Sequence, residues 1–199
     1  MEKEGLRLGC VVMAAGNARR FGENKLAAEY RGRPLIRWAL AAVPAEQFAQ
    51  VAVVTQYPEV EVLTREYGFQ HVYNPHPDWG ISHTIRLGLE TMLSCDGVLF
   101  QVSDQPLLRR ETVAAEVELF RRNPDKLVGL SHGGVRGNPC IFPAAYFPEL
   151  LALREDCGGG SVIRRHKEKL LLFEVPAEEL EDVDTPQALR IMAEGRMPH

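Results

Sequence analysis

The chain has 199 residues, 45% of them hydrophobic, and 23 Lys and Arg against 27 Asp and Glu give a formal net charge of −4. That length supports one sizeable core in a single domain over residues 1–199, and the mild acidity argues against a general binder of nucleic acid or anionic membrane, which needs clustered excess Lys and Arg. No apolar run is long enough to span a bilayer, and Met1-Glu2-Lys3-Glu4-Gly5 carries no apolar signal region, so the expectation is a soluble, cytoplasmic protein.

Gly9 to Met13 is short and wholly apolar, the pattern of a strand buried on both faces. It runs straight into Ala14, Ala15 and Gly16, whose small side chains let a ligand approach the backbone, and successive N–H groups in such a turn form an anion-binding nest. Arg19, Arg20 and Lys25 then bring positive charge to the loop. Arg offers a planar fork to phosphate oxygens and Lys a mobile point charge. The glycine spacing fits neither a P-loop nor G-x-G-x-x-G.

Pro34 is placed as the first residue of a helix running through Leu40. A second strand is expected over Val51–Thr55. The loop from Asn74 to Gly80 leads into a helix with Ile81, Ile85, Leu89, Met92 and Leu93 at helical spacing. Ser82 is its expected N-cap, and the hydroxyls of Ser82 and Thr84 are also suited to a nucleobase or ribose. The strand Val98–Val102 ends in Ser103-Asp104-Gln105-Pro106, which sets a carboxylate at the sheet edge where Mg²⁺ can be held. Val113, Val117 and Phe120 mark the next helix, and Leu127–Leu130 the next strand. His132 to Pro143, with Gly133-Gly134 and Gly137-Asn138-Pro139, is the most irregular stretch and is read as a substrate-facing insertion. Phe147, Leu150 and Leu151 are helical, Leu170–Val175 is a further strand, and Thr185-Pro186 has cap-then-proline form before Leu189 and Met192.

Strands alternating with helices predict an α/β fold with a mostly parallel central sheet, helices on both faces and ligands at the carboxyl ends of the strands. In Asp182-Val183-Asp184, just before the Thr185-Pro186 cap, one carboxylate is expected to face a metal. Asp184 is that one, and Asp104 with Asp184 suits a nucleotide-bound Mg²⁺. Cys10, Cys95, Cys140 and Cys157 show no metal spacing and are read as buried, with Cys157 beside Gly158–Gly160 as the one exception to watch. The histidines form no zinc pattern.

These blocks carry a resemblance across nearly the whole chain: Met13-Ala14-Ala15-Gly16 through Arg20-Phe21-Gly22 to Lys25-Leu26, Gly32-Arg33-Pro34-Leu35, Asn74 to Leu89, Asp104-Gln105-Pro106, Gly137-Asn138-Pro139 to Phe142, and Asp184-Thr185-Pro186. The chain resembles the nucleotidyltransferases of molybdenum cofactor maturation, the cytidylyltransferase branch in particular. That resemblance implies a Rossmann-like nucleotidyltransferase fold and Mg²⁺-dependent transfer of CMP from CTP to the phosphate of molybdopterin, with release of pyrophosphate. It implies catalytic roles for Lys25, Arg20 and Asp104, and metal binding by Asp104 and Asp184. Nucleotide contacts fall on Ala14, Ala15, Gly16, Asn74, Gly80, Ser82 and Thr84, and acceptor contacts on Gly137, Asn138, Pro139 and Asp156. A transient contact with a molybdoenzyme or its chaperone follows as a partner expectation.

The guanylyltransferase branch carries Gly-Gly where this chain has Ala14-Ala15, so the resemblance favours CTP. In place of a Gly-Asp-x-Gly-Ala-Arg-like block stands Glu155-Asp156-Cys157-Gly158-Gly159-Gly160-Ser161, in which Asp156 and Gly158 fit and the Ala-Arg is missing. Transfer to an isoprenoid precursor or a sugar phosphate, and a non-catalytic nucleotide or pterin carrier, are the rival readings. A phosphomonoester has a second pKa of about 6, so the acceptor needs no general base, and catalysis rests on neutralising and aligning anions.

Overall fold

The structure, a computed structural model, describes residues 5–17, 21 and 24–194. In chain order its elements are β1 (Leu8–Ala14), a small antiparallel pair β2 (Glu29–Tyr30) and β3 (Arg33–Pro34), α1 (Leu35–Ala41), β4 (Gln50–Thr55), α2 (Pro58–Glu66), β5 (Gln70–Tyr73), α3 (Ile81–Glu90), β6 (Gly97–Val102), α4 (Arg110–Arg122), β7 (Leu127–His132), β8 (Val135–Pro143), α5 (Phe147–Leu151), α6 (Gly160–Arg165), β9 (Leu170–Glu174) and α7 (Pro186–Ala193). The main sheet has seven strands in the order β5-β4-β1-β6-β8-β7-β9. Only β8 runs against its neighbours β6 and β7; the other pairings are parallel.

β1 is apolar at nearly every position because both of its faces are covered. Successive side chains point to opposite sides of a strand. Leu8, Cys10, Val12 and Ala14 therefore join one core layer with Ile36 and Leu40 of α1, Val60 of α2, and Val113, Val117 and Phe120 of α4. Val11 joins the other, with Ile85 and Leu89 of α3, Phe147 and Leu150 of α5, and Val162 and Ile163 of α6. Helices thus cover both faces of the sheet. α3 lies so close to β1 that a Cβ on Gly88 would sit 2.4 Å from Val11 Cγ1. A smaller cluster of Tyr30, Leu35, Val183 and Met192 fastens α7 and the segment before it to β2 and α1.

Three local expectations are corrected. Pro34 precedes the first helix and has extended ψ (142°), because it closes the β2–β3 pairing; α1 begins at Leu35, whose N–H donates to the Ala28 carbonyl at 2.9 Å. Ser82 is not an N-cap: α3 starts after Gly80, and the Ser82 N–H is satisfied by the Glu155 carbonyl at 3.1 Å. The stretch His132 to Pro143 is no insertion. It is mostly β8, wedged between β6 and β7 with Phe100 opposite Cys140, and its glycines Gly133 and Gly134, both at positive φ, make the β7–β8 turn.

One core residue breaks the pattern. Glu116 on α4 is fully buried, and neither carboxyl oxygen has a hydrogen-bond partner among the described residues. Burial drives its pKa well above the ordinary carboxylate range. A carboxyl whose folded pKa is raised gives its full stability below the unfolded pKa, and that stability is lost as pH rises toward the folded value. Glu116→Leu is therefore expected to flatten the pH dependence and to stabilise the protein at pH 7 by about 1–3 kcal/mol. Urea unfolding of both forms between pH 4 and 8 checks this.

Candidate active site

The parallel strands β1, β4 and β6 end along one edge of the sheet, and the site is built there. The Ser103 hydroxyl, just past β6, donates to the Met13 carbonyl at 2.8 Å and ties the ends of β1 and β6 together. The loop after β1 is held from the other side. Gln56 Nε2 donates to the Ala15 carbonyl and to Asn17 Oδ1, both at 2.9 Å, and the Tyr57 hydroxyl donates to the Gly16 carbonyl at 2.8 Å. Burial, and then the Glu59 charge, raise the Tyr57 pKa, so the phenol remains a donor at neutral pH. Two loop carbonyls are thus engaged by side chains, which fixes the peptide orientation an anion would meet. Neither Gln56 nor Tyr57 was expected, since each lies about 40 residues from the loop it holds.

Lys25 opens a single helical turn capped by Asn24, whose Oδ1 accepts from the Leu26 N–H at 3.1 Å. Its Nζ lies 2.6 Å from Asp104 Oδ2, 3.2 Å from the Val183 carbonyl and 3.4 Å from Asp184 Oδ1. The Lys25 and Asp104 side chains are 15% and 20% exposed and that of Asp184 48%, so the pair at the floor is sheltered while Asp184 faces the opening. The segment carrying Asp184 is docked by long-range bonds. The Val183 N–H donates to the Asp104 carbonyl at 2.8 Å, and Gln105 Nε2 to the Leu180 carbonyl at 3.1 Å. Buried Glu179 accepts from the Arg109 backbone N–H at 3.1 Å and from its Nε at 2.9 Å.

Residues i and i+2 of an extended segment share a side, and Asp182 joins Asp184 near Asp104. It keeps solvent on one side, yet burial of its carboxyl and next the Asp104 charge push its pKa up to about 6, opposed in part by a hydrogen bond from Gln105. Carboxylates crowded in this way suit a divalent cation. Asp104 Oδ1 points the same way: it is buried with no hydrogen-bond partner among the described residues. No group of three or more potential ligands is close enough to form a metal cage among the described residues. The donor set therefore fits a cation shared between one or two carboxylates and substrate phosphates, as Mg²⁺ is commonly held.

Above this floor is a cavity of about 470 Å³ lined by Ala15, Gly16, Lys25, Thr84, Asp104 and Asp184, among others. A second cavity of about 560 Å³ adjoins it, and Asp78, Gly80 and Asp156 line both. Ala14 is buried in the core and lines neither cavity. Asn74 is also buried behind the wall, where Nδ2 donates to Thr84 Oγ1 at 3.2 Å and Oδ1 accepts from the His76 N–H at 2.9 Å. Ser82 lines the second cavity. Gly137, Asn138 and Pro139 reach the carboxyl edge of β6 through the antiparallel β8 but line neither cavity. Arg20 lies outside the described residues, as does Arg19. Cys157 is exposed, contrary to the burial read from sequence, while Cys10, Cys95 and Cys140 are buried.

Gly80 sets the partition between the cavities. It has φ 84° and ψ 179°, a region open in practice to glycine alone. A Cβ there would lie 2.4 Å from the Glu155 carbonyl oxygen and 2.6 Å from Asp156 Oδ1. Gly80→Ala is expected to displace the 154–156 loop, cost about 1–3 kcal/mol in stability and lower kcat/KM roughly 10-fold or more, since misplacing reactants by about 1 Å can cost 10²-fold. Thermal melts with steady-state kinetics check it.

A family model described as MobA-like NTP transferase domain matches residues 10–170. The purine catabolism protein PucB of Bacillus subtilis is 27% identical over 190 residues, covering 89% of this chain and 91% of that one. A probable molybdenum cofactor guanylyltransferase of the same organism is 30% identical over 144 residues, 70% of this chain and 69% of that one. Among solved structures, a nucleotidyl transferase from Methanothermobacter thermautotroptrophicus superposes with a TM-score of 0.80 at 19% identity, covering 96% of this chain and 98% of that one.

Proposed function

The chain belongs to the MobA-like NTP transferase family and is a nucleotidyltransferase, and from that premise we propose that it transfers CMP from CTP to the phosphate of molybdopterin, releasing pyrophosphate. The observation that carries the reading is Lys25, set 2.6 Å from Asp104 and 3.4 Å from Asp184 at the floor of a cavity roofed by the Ala15-Gly16 loop. A phosphate oxygen of the acceptor attacks the α-phosphorus of CTP, a new P–O–P bridge forms, and the bond to pyrophosphate breaks. The attacking oxygen is already ionised, so no proton need be removed.

The chain's residues supply placement and charge. The loop after β1 presents backbone to the triphosphate, with its peptides oriented by Gln56 and Tyr57. Lys25, on a flexible stem, is in reach of phosphate oxygens entering between it and the carboxylates. Asp104 and Asp184 would hold Mg²⁺, which when bound neutralises triphosphate charge. Thr84, braced by Asn74, offers a hydroxyl to the nucleoside. The resemblance of Ala14-Ala15 to the alanine-containing loops of cytidylyltransferases, where the guanylyltransferase branch has Gly-Gly, supports the pyrimidine base.

The test is pyrophosphate release with Mg²⁺, comparing CTP, GTP, ATP and UTP, each with and without the molybdenum-loaded pterin. Release with CTP only when the pterin is present is the expected result. Release with GTP alone would reassign the base, and release with CTP and a sugar or isoprenoid phosphate would reassign the acceptor.

A further inference from the structure

The junction between β4 and α2 touches the loop after β1 at both of its ends. At the near end Gln56 and Tyr57 hold the Ala15 and Gly16 carbonyls. At the far end Glu59, on the first turn of α2, accepts from Asn24 Nδ2 at 2.6 Å. Asn24 is the residue that caps the turn Lys25–Ala27, so Glu59 reaches Lys25 through one side chain. The junction is itself firmly seated. Thr55 before it and Val60 after it are both buried, and Thr55 Oγ1 accepts from the Tyr57 N–H at 3.1 Å. The turn that carries Lys25 is anchored in turn by buried Leu26, which belongs to the same core layer as Val60.

We propose that Tyr57 and Glu59 are positioning residues for the bound triphosphate, Tyr57 setting the loop backbone together with Gln56, and Glu59 setting Lys25 through Asn24. A carboxylate only accepts hydrogen bonds, so Glu59 selects the Nδ2 end of the Asn24 amide. Oδ1 is thereby left facing the Leu26 N–H, where it caps the turn. Without Glu59 the amide is free to turn its ends about, and the cap is no longer specified. Lys25 then loses the fixed stem from which its Nζ reaches the cavity floor. One rigid junction thus sets the separation between the backbone that faces the phosphates and the ammonium that meets them, where small errors of placement are costly. Glu59 is exposed, and a surface substitution of this kind changes stability little, so its effect falls on ligand placement and not on the fold. The assignment rests on the nucleotide-binding step of the reaction proposed above.

The test is binding of CTP and of GTP, each with Mg²⁺, by calorimetry to the wild type and to E59A, E59Q, N24D, N24D/E59Q and Y57F, with a thermal melt of each. E59A and N24D are expected to weaken both nucleotides roughly 10-fold with little change in melting. E59Q loses the same charge as E59A but keeps an acceptor oxygen, so it is expected to stay close to the wild type. In N24D/E59Q the new amide donates to the new carboxylate, the bond is made in reverse, and affinity is expected to recover from that of N24D. Y57F, which loses the donor to the Gly16 carbonyl, is expected to weaken both nucleotides several-fold. Should E59A fail to fold, N24D against N24D/E59Q decides alone. Equal affinity in E59A and E59Q, or a double variant no tighter than N24D, would overturn the role of Glu59, and unchanged affinity in Y57F that of Tyr57. A wild type that binds neither nucleotide would overturn the proposal together with the transfer reading. Weakened binding in E59A of a protein that binds nucleotide but releases no pyrophosphate with any acceptor would leave the positioning role standing and reject the transfer reading.

Discussion

Asp104→Ala is expected to lower kcat by roughly 10³-fold while leaving a folded protein, because it removes a sheltered carboxylate at the floor of the cavity. The magnitude is that of losing a preorganised charge aimed at a reacting group. Asp104 Oδ2 is already engaged by Lys25 at 2.6 Å, whereas Oδ1 is buried with no hydrogen-bond partner among the described residues, so the side chain keeps an unused acceptor. The fold survives because Asp104 ties down the C-terminal segment through its backbone carbonyl, which accepts from the Val183 N–H and is untouched by the substitution. Single-turnover kinetics measure the loss, and Mn²⁺ titration followed by electron paramagnetic resonance measures the metal site without reference to turnover. Unchanged Mn²⁺ affinity together with unchanged kcat would remove Asp104 from the site.

Lys25→Ala should cost roughly 10²–10³-fold in kcat/KM for the nucleotide, again on the scale of one lost electrostatic contact in a preorganised site. Here the fold also feels the change. Lys25 is the cation between Asp104 and Asp184 and also donates to the Val183 carbonyl, so its removal leaves facing carboxylates without that partner. A loss of about 1–3 kcal/mol in stability without ligand is expected, and a thermal melt measures it. Lys25→Arg is not expected to restore activity, since a planar five-donor fork cannot take the place of a compact ammonium among crowded carboxylates. Wild-type kinetics in Lys25→Ala would sink the assignment.

Much of this site was legible before the structure because its signals are local. An apolar run ending in Ala14-Ala15-Gly16 marks a buried strand feeding a ligand loop, and Ser103-Asp104 after another such run marks a second strand end. The Thr185 cap is equally local: its Oγ1 accepts from the Ala188 N–H at 3.1 Å, three residues on. Lys25, Asp104 and Asp184 could be named from their strand ends and motif neighbours, and they do meet.

The sequence by itself therefore determined the alternation of elements, the doubly covered strands and the chemical types gathered at one sheet edge. Hydrophobic period and turn chemistry act over a few residues and depend little on the rest of the chain. Tertiary structure alone decided the antiparallel insertion of β8, the approach of Asp182 to Asp104, the hold of Gln56 and Tyr57 on the loop, and the Glu155 carbonyl on the Ser82 N–H. Each is a pairing between distant segments: 159 residues separate Lys25 from Asp184, and 70 separate Arg109 from Glu179, which docks the segment leading to it. Which donor meets which acceptor across such spans depends on strand order and on which surfaces burial brings together, and no local periodicity encodes that.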